Sequence, residues 1–324
     1  ELRRLGHEVR ILALSPTYRS FEKDGDFFIS SFHVPVYPDA RMSLRRKGPL
    51  INKIIAWKPD IVHVQTEFST RKLATRGIRE LGIPFVVPCH TVYEDYIGYF
   101  CPSKRIGKYI IRRLSNRYYN PANALVVPSD KLRKTEQGYK VSCPITVIPT
   151  GIELDRFSRR ISHEEKEQLL AKYGLTPGKT LVSVCRLAAE KNLDEIVSYM
   201  PALLRADPEV MLLIVGDGPH RSELEKHVRE AGVEKNVVFA GMIDRYDVYK
   251  YYQTGDIFVC ASTSESQGLT YVEALSSGLP LVCRRDDCLV GVLDNGKNGY
   301  QYETETEFVR GVMHILDDRE LAHN

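Results

Sequence analysis

The sequence predicts an α/β protein made of two doubly wound domains, each a parallel sheet with helices on both faces. Three observations lead there. Short β-branched runs alternate with longer helical patterns along the chain. Several of those runs are apolar throughout, as strands covered on both faces must be. They also fall into two successive series, in a chain whose 324 residues suffice for two cores.

The first series is HEVRILALS, DIVHVQT, PFVVPCHT, ALVVPSD and ITVIPTG; the second is TLVSVCRL, VMLLIVGDG, VVFAG, IFVCAST and LPLVCRR. Helical patterns such as HRSELEKHVREAG lie between them, closed by a glycine suited to the left-handed residue after a helix. Parallel neighbours need such crossovers. The boundary is expected near IPTGIELDRFS, giving domains 1–150 and 151–324. At the start, Leu2 and Leu5 read as one face of a last helical turn capped by Gly6. The end, VMHILDDRELAHN, stops within a helical pattern.

Apolar residues make up 43% and charged residues 27%, a soluble globular balance, and no apolar run approaches the 18 or more residues of a membrane span. No signal-peptide pattern opens the chain. The seven cysteines are scattered and form no CxxC pair, which reads as small core residues in a reducing cytoplasm and leaves no zinc spacing. The net charge of +3 hides an asymmetry: residues 1–150 hold 25 Lys/Arg and 13 Asp/Glu, a net +12, leaving the rest at −9. One half then faces a polyanion or anionic membrane, or the two halves attract each other.

Ligands of doubly wound sheets bind beyond the carboxyl ends of the strands, so residues there carry the functional reading. In SVCRLAAEKN, Arg186 and Lys191 follow a strand and could clamp a diphosphate, or be solvated. GDGP after the next strand allows a tight turn and close backbone approach, and it is not a full GxGxxG fingerprint. SESQGLTYVEALSSGLP holds Glu265 in a strand-to-helix loop and Gly268 at a helix entrance where free N–H groups favour phosphate. Leu269 opens that helix, and Glu273 lies about one turn in. There Glu273 either complements the helix dipole or accepts bonds from two vicinal hydroxyls of a sugar. His90, in VPCHTVYEDY, falls at the carboxyl end of a strand in the first half.

From Asp95 to Asp130 there is no intervening acidic residue but six basic ones, Lys104, Arg105, Lys108, Arg112, Arg113 and Arg117. At helical spacing Ile106, Ile110, Leu114 and Tyr118 share one side, while Arg105, Lys108 and Arg112 share another. Arg113 and Arg117 intrude on the apolar edge. The pattern suits an interfacial helix on anionic lipid, or an ordinary basic surface helix. Without stacking aromatics or a known motif, nucleic acid ranks low.

Taken in order, RLAAEKN, GDGP, ESQGLTYVEALSSGLP and NGKNGYQY resemble the motifs of retaining glycosyltransferases of family 4, over nearly the whole chain. The resemblance implies the GT-B fold, two Rossmann-like domains with a cleft between them. It implies that Arg186 and Lys191 hold the donor diphosphate and that Glu265 contacts the donor sugar. Gly268 and Leu269 would offer backbone N–H groups, and Glu273 would bind the ribose hydroxyls. His90 would line the reaction centre, and backbone near Met242 and Ile243 would meet the base. The implied reaction moves a hexose from a nucleotide sugar with retention, without a metal or other cofactor. Retention in this family is explained by front-face attack within a tight ion pair, so the glutamates are not assigned as nucleophile and acid.

HVQTEFS, HTVYEDY, the basic segment and TSESQGLTYVEA look like bacterial enzymes that glucosylate diacylglycerol from UDP-glucose, peripherally on the cytoplasmic membrane face. STRKLATRG after Phe68 departs from the small, glycine-rich residues of that subgroup. A polyisoprenyl-linked sugar, a phosphoinositide or a soluble glycan therefore stays open as acceptor. The resemblance also implies an opening strand with a glycine-rich loop and a terminal crossing helix, both absent from these residues. They are accordingly expected to be poorly stable and poorly active alone. A non-catalytic lipid- or nucleotide-binding remnant is a further reading, against which the complete Arg186, Lys191, Glu265 and Glu273 set argues.

Overall fold

A computed structural model of the chain describes residues 2–34, 37–44, 48–66, 70–71, 81–94, 97, 101 and 103–318, with only the backbone for 37–40 and 104. It separates into two units, Glu1–Thr91 with Cys101–Ile148, and Val92–Phe100 with Pro149–Asn324. The division expected at residue 150 thus falls two residues earlier, and a short piece of the first half joins the second unit. In that piece Val92 and Ile97 are buried. Most of STRKLATRG, and Asp95, lie outside the described residues.

The first unit contains β1 (Leu12–Leu14), β2 (Phe21–Lys23), β3 (Asp26–Ile29), β4 (Phe32–Val34) and β5 (Tyr37–Met42), then α1 (Pro49–Trp57). They are followed by β6 (Val62–His63), β7 (Phe85–Pro88), α2 (Lys104–Tyr119), β8 (Ala124–Val127), α3 (Asp130–Gly138) and β9 (Ile145–Val147). β6 to β9 form a parallel sheet in sequential order. Its core residues Phe85, Val87, Leu125 and Val127 are buried, with Leu132 of α3. β1 pairs parallel with β3, whereas β2–β3 and β4–β5 are antiparallel pairs. Among the described residues β1 to β3 and the β4–β5 pair fall outside the four-stranded sheet of β6 to β9. The β2–β3 turn has Asp24 and Gly25 at φ 53° and 82°, the two consecutive left-handed residues that match strand twist in a two-residue hairpin.

The second unit has the expected architecture. Its helices are α4 (Leu154–Ser158), α5 (His163–Tyr173), α6 (Leu193–Ala206), α7 (Arg221–Glu230), α8 (Val248–Thr254), α9 (Leu269–Ser276) and α10 (Glu305–Asp317). Its strands are β10 (Thr180–Val184), β11 (Met211–Val215), β12 (Val237–Gly241), β13 (Ile257–Cys260), β14 (Leu281–Arg284) and β15 (Gly299–Tyr302). All pair in parallel in the order β12-β11-β10-β13-β14-β15. Alternate strand residues feed two cores. Leu181, Leu212, Ile214, Ile257 and Val259 pack with α6, α7 and α10. Val182, Leu213, Val215, Phe258 and Cys260 pack with Phe157, Leu170, Tyr252 and Tyr271 from the other helices. This two-sided burial is why the runs carry no polar alternation.

The GDGP turn has a packing role. A Cβ on Gly216 would lie 1.9 Å from the Cys185 carbonyl oxygen, and one on Gly218 would lie 2.2 Å from that of Leu187. The close approach lets Leu187 N–H donate to Asp217 and His220 N–H donate to Leu187. The loop after β10 is held this way. No helix among the described residues is long and apolar enough to cross a membrane. Gly218→Ala should cost about 2 kcal/mol or more of unfolding free energy through this overpacking. Gly151→Ala, where a Cβ meets nothing within 4 Å, should change it by about 0.5 kcal/mol or less. Urea denaturation of the two variants checks the contrast.

Candidate active site

β10 and β13 are neighbours where the strand order reverses, the point at which such sheets bind ligands. Their carboxyl-end loops meet. Lys191, closing a single 3-10 turn Ala189–Lys191, places Nζ 2.6 Å from Oε1 of Glu265. Ser264 donates its hydroxyl to the Glu190 carbonyl at 3.2 Å, and Cys288 Sγ donates to the Glu265 carbonyl at 2.8 Å. Burial works against the Lys191 charge, yet the adjacent Glu265 carboxylate holds its pKa above the usual range. Lys191 is thus a secure cation. Arg186 is exposed on the same loop and makes no side-chain hydrogen bond or ion pair among the described residues.

Gly268 caps α9 at φ 72°. A Cβ there would lie 2.3 Å from the Tyr271 ring, and no side chain caps the helix, so Gly268 and Leu269 present an open helix start. One turn on, Tyr252 donates its hydroxyl to Oε2 of Glu273 at 2.8 Å. Tyr252 is fully buried. Burial raises the Glu273 pKa, while the Tyr252 hydrogen bond and the positive charge of Arg156 pull it back down. A half-buried carboxylate fixed through one oxygen can accept from a ligand hydroxyl with the other. Met242 and Ile243 follow the end of β12, Met242 exposed and Ile243 packed against the core.

All of these residues lie in the second unit, which gathers Lys191, Glu265 and the Gly268–Leu269 helix start at one end of its sheet. His90 belongs to the first unit, two residues beyond β7 and exposed. His63 on β6, unnoticed in the sequence reading, is near enough that burial and the charge of His90 lower its pKa. Arg105, Lys108, Arg112, Arg113 and Arg117 lie on α2, as does Lys104, whose side chain is outside the described set.

The sequence reading missed the groups that hold the site. Asn192, left-handed at φ 54°, donates to Glu195 at 3.0 Å, and Arg284 at the end of β14 reaches the same Glu195 oxygen at 2.6 Å. Asp194 pairs with His220 at 2.6 Å and His227 at 3.1 Å. The first turn of α6, and with it Lys191, is tied from two sides. Cys260, Cys283 and Cys288 are buried; burial pushes Cys260 up to about 11, so it stays a thiol.

Residues 1–156 match the family described as Glycosyltransferase Family 4, and residues 165–324 match Glycosyl transferases group 1. The chain is 32% identical to an alpha-monoglucosyldiacylglycerol synthase from Streptococcus pneumoniae, over 98% of this chain and 72% of that protein. It is 31% identical to another from Acholeplasma laidlawii, over 99% and 83%. Among solved structures it resembles Anabaena HepE in complex with UDP-glucose, with a TM-score of 0.67 at 18% identity over 85% of this chain and 74% of that one. It also resembles the sucrose-phosphate synthase of Thermosynechococcus elongatus, at 0.73 and 17%, over 99% and 82%. The chain therefore belongs to the family 4, group 1 glycosyltransferases and has their GT-B fold.

Proposed function

We propose that the protein transfers glucose from UDP-glucose to diacylglycerol, with retention of configuration, at an anionic membrane surface on the cytoplasmic side. The observation that carries the lipid reading is the orientation of α2. Ile106, Tyr109, Ile110 and Leu114 are 57%, 59%, 45% and 41% exposed, whereas Gly107, Ser115 and Tyr119 are buried. A surface helix ordinarily turns its apolar stripe inward. Here the stripe faces out beside Arg105 and Lys108, both exposed. Arg113, which breaks the apolar edge in sequence, donates to the Tyr109 hydroxyl at 3.1 Å. Tyr118 leaves the stripe, its ring lying under the Arg71 guanidinium. Such a face suits acyl chains below and anionic headgroups around it. The names of the pneumococcal and Acholeplasma relatives support glucose and diacylglycerol, and the HepE complex supports UDP-glucose.

In this reading Arg186 and Lys191 neutralise the donor diphosphate, and the N–H groups at the start of α9 bind it. Together they stabilise the charge that develops as the diphosphate leaves, so no metal is required. Glu265, paired with Lys191, orients the sugar, Glu273 holds the ribose hydroxyls, and His90 lines the reaction centre. Each glutamate is occupied by its own partner, which favours donor contacts over a nucleophile and acid pair.

Incubation with radiolabelled UDP-glucose and diacylglycerol in mixed micelles should give a labelled glycolipid cleaved by α-glucosidase. Release of UDP without a lipid product, or a product cleaved only by β-glucosidase, contradicts the reading. On vesicles, replacing Arg105, Lys108 and Arg112 with Gln should weaken binding to phosphatidylglycerol about a hundredfold, at ~1 kcal/mol per cation, and leave binding to phosphatidylcholine unchanged. Equal binding by both proteins removes α2 from the membrane role.

Glu273 gives a pH test. Its carboxylate must be ionised to accept ribose hydroxyls, and its pKa is raised, so UDP binding should fall away on the acid side above the ordinary glutamate range. Tyr252→Phe removes a bond that favours the ionised form and should move that limb to higher pH. Ionised Glu273 also destabilises the unliganded fold above the unfolded-state pKa. Glu273→Gln should therefore raise Tm at neutral pH while weakening UDP binding. A limb unmoved by Tyr252→Phe contradicts the assignment.

A further inference from the structure

Among the described residues near the proposed nucleoside site, Arg156 carries a guanidinium whose role the fold leaves open. It lies on α4, which packs against α9, the helix that carries Glu273. Its Cζ sits over the Phe157 ring at 4.8 Å and near the Tyr246 ring at 5.9 Å. Phe157 in turn meets Tyr252 edge-on at 5.9 Å, and Tyr252 orients Glu273. The guanidinium is thereby seated between the carboxylate assigned to ribose and the loop after β12 assigned to the base. Its Nε is buried with no hydrogen-bond partner, and Arg156 forms no ion pair among the described residues. Glu273 feels its charge without being paired to it. Buried donors are ordinarily satisfied, so an orphan at such a place invites a ligand acceptor.

We propose that Arg156 reads the donor nucleoside, donating to the pyrimidine carbonyl oxygen beside the ribose, and so favours uridine over purine nucleotides. The inference rests on the donor reading above. Arginine offers only donors. On a pyrimidine the base atom next to the glycosidic bond carries a carbonyl oxygen, a strong acceptor. A purine places a ring nitrogen there, which accepts through one lone pair within the ring plane, whereas the exocyclic carbonyl oxygen offers two and projects toward the donor. A purine therefore pairs with fewer of the guanidinium donors, and from further back, so Arg156 contributes more to a pyrimidine nucleotide than to a purine one.

The test is calorimetric titration of UDP, UMP and GDP into the protein and its Arg156→Ala, Arg156→Lys and Lys191→Ala variants. Arg156→Ala should weaken UDP and UMP by the same factor, about tenfold or more, as expected for a lost charged hydrogen bond, and weaken GDP by a clearly smaller factor. Arg156→Lys should lie between, and Lys191→Ala should weaken UDP more than UMP. UDP affinity unchanged in Arg156→Ala overturns the proposal. So does a loss confined to UDP, or an equal loss for UDP and GDP. If Arg156→Ala does not fold, Arg156→Lys decides by the same ratios. A wild-type protein that binds neither UDP nor UMP overturns the donor reading, and this inference with it.

Discussion

The site depends on one topological constraint, the adjacency of β10 and β13 at the reversal of strand order. Each strand delivers a loop at its carboxyl end, one with Arg186 and Lys191, the other with Glu265 and Gly268. Because the strands touch, the loops touch, and the 2.6 Å ion pair between Lys191 and Glu265 forms across the seam. No local motif could bring these groups together. The close fit of Gly216 and Gly218 against Cys185 and Leu187 then holds the first loop from the other side.

Much of the second unit is legible in sequence because its strands are covered on both faces and its helices end in glycine or begin at one. β10 to β14 and the start of α9 all coincide with apolar runs or glycine positions. β15 escapes because GYQY is short and half polar. In the first unit, β2 to β4 escape because they are short and only partly buried, although Asp24–Gly25 is a hairpin signal in plain view. Alternation announces strands and helices, but whether each new strand adds beside the last or back across the first is set by long-range packing. β6 to β9 simply add in order.

The site divides in the same way. Residues carrying charge or conformational freedom at strand ends could be named from position: Arg186, Lys191, Glu265, Gly268 and Glu273. Their supports could not. Tyr252 stands 21 positions from Glu273, and Arg284 stands 89 from Glu195, separations with no periodicity to reveal them. Two of the positions, one support and one site residue, are costly to the fold. Asn192 takes a left-handed backbone, and Glu273 is a carboxylate kept partly from water. Such local costs at a strand-end cluster are what a binding site imposes on a stable scaffold.

The central claim, that this end of the second sheet holds a nucleotide diphosphate, is tested most directly by a crystal structure with UDP. The account predicts the diphosphate against the N–H groups at Gly268 and Leu269, with Arg186 and Lys191 in contact, the ribose hydroxyls on Glu273 and the base beside Met242 and Ile243. UDP bound elsewhere, or bound there with Glu273 still making no ligand contact, would contradict it.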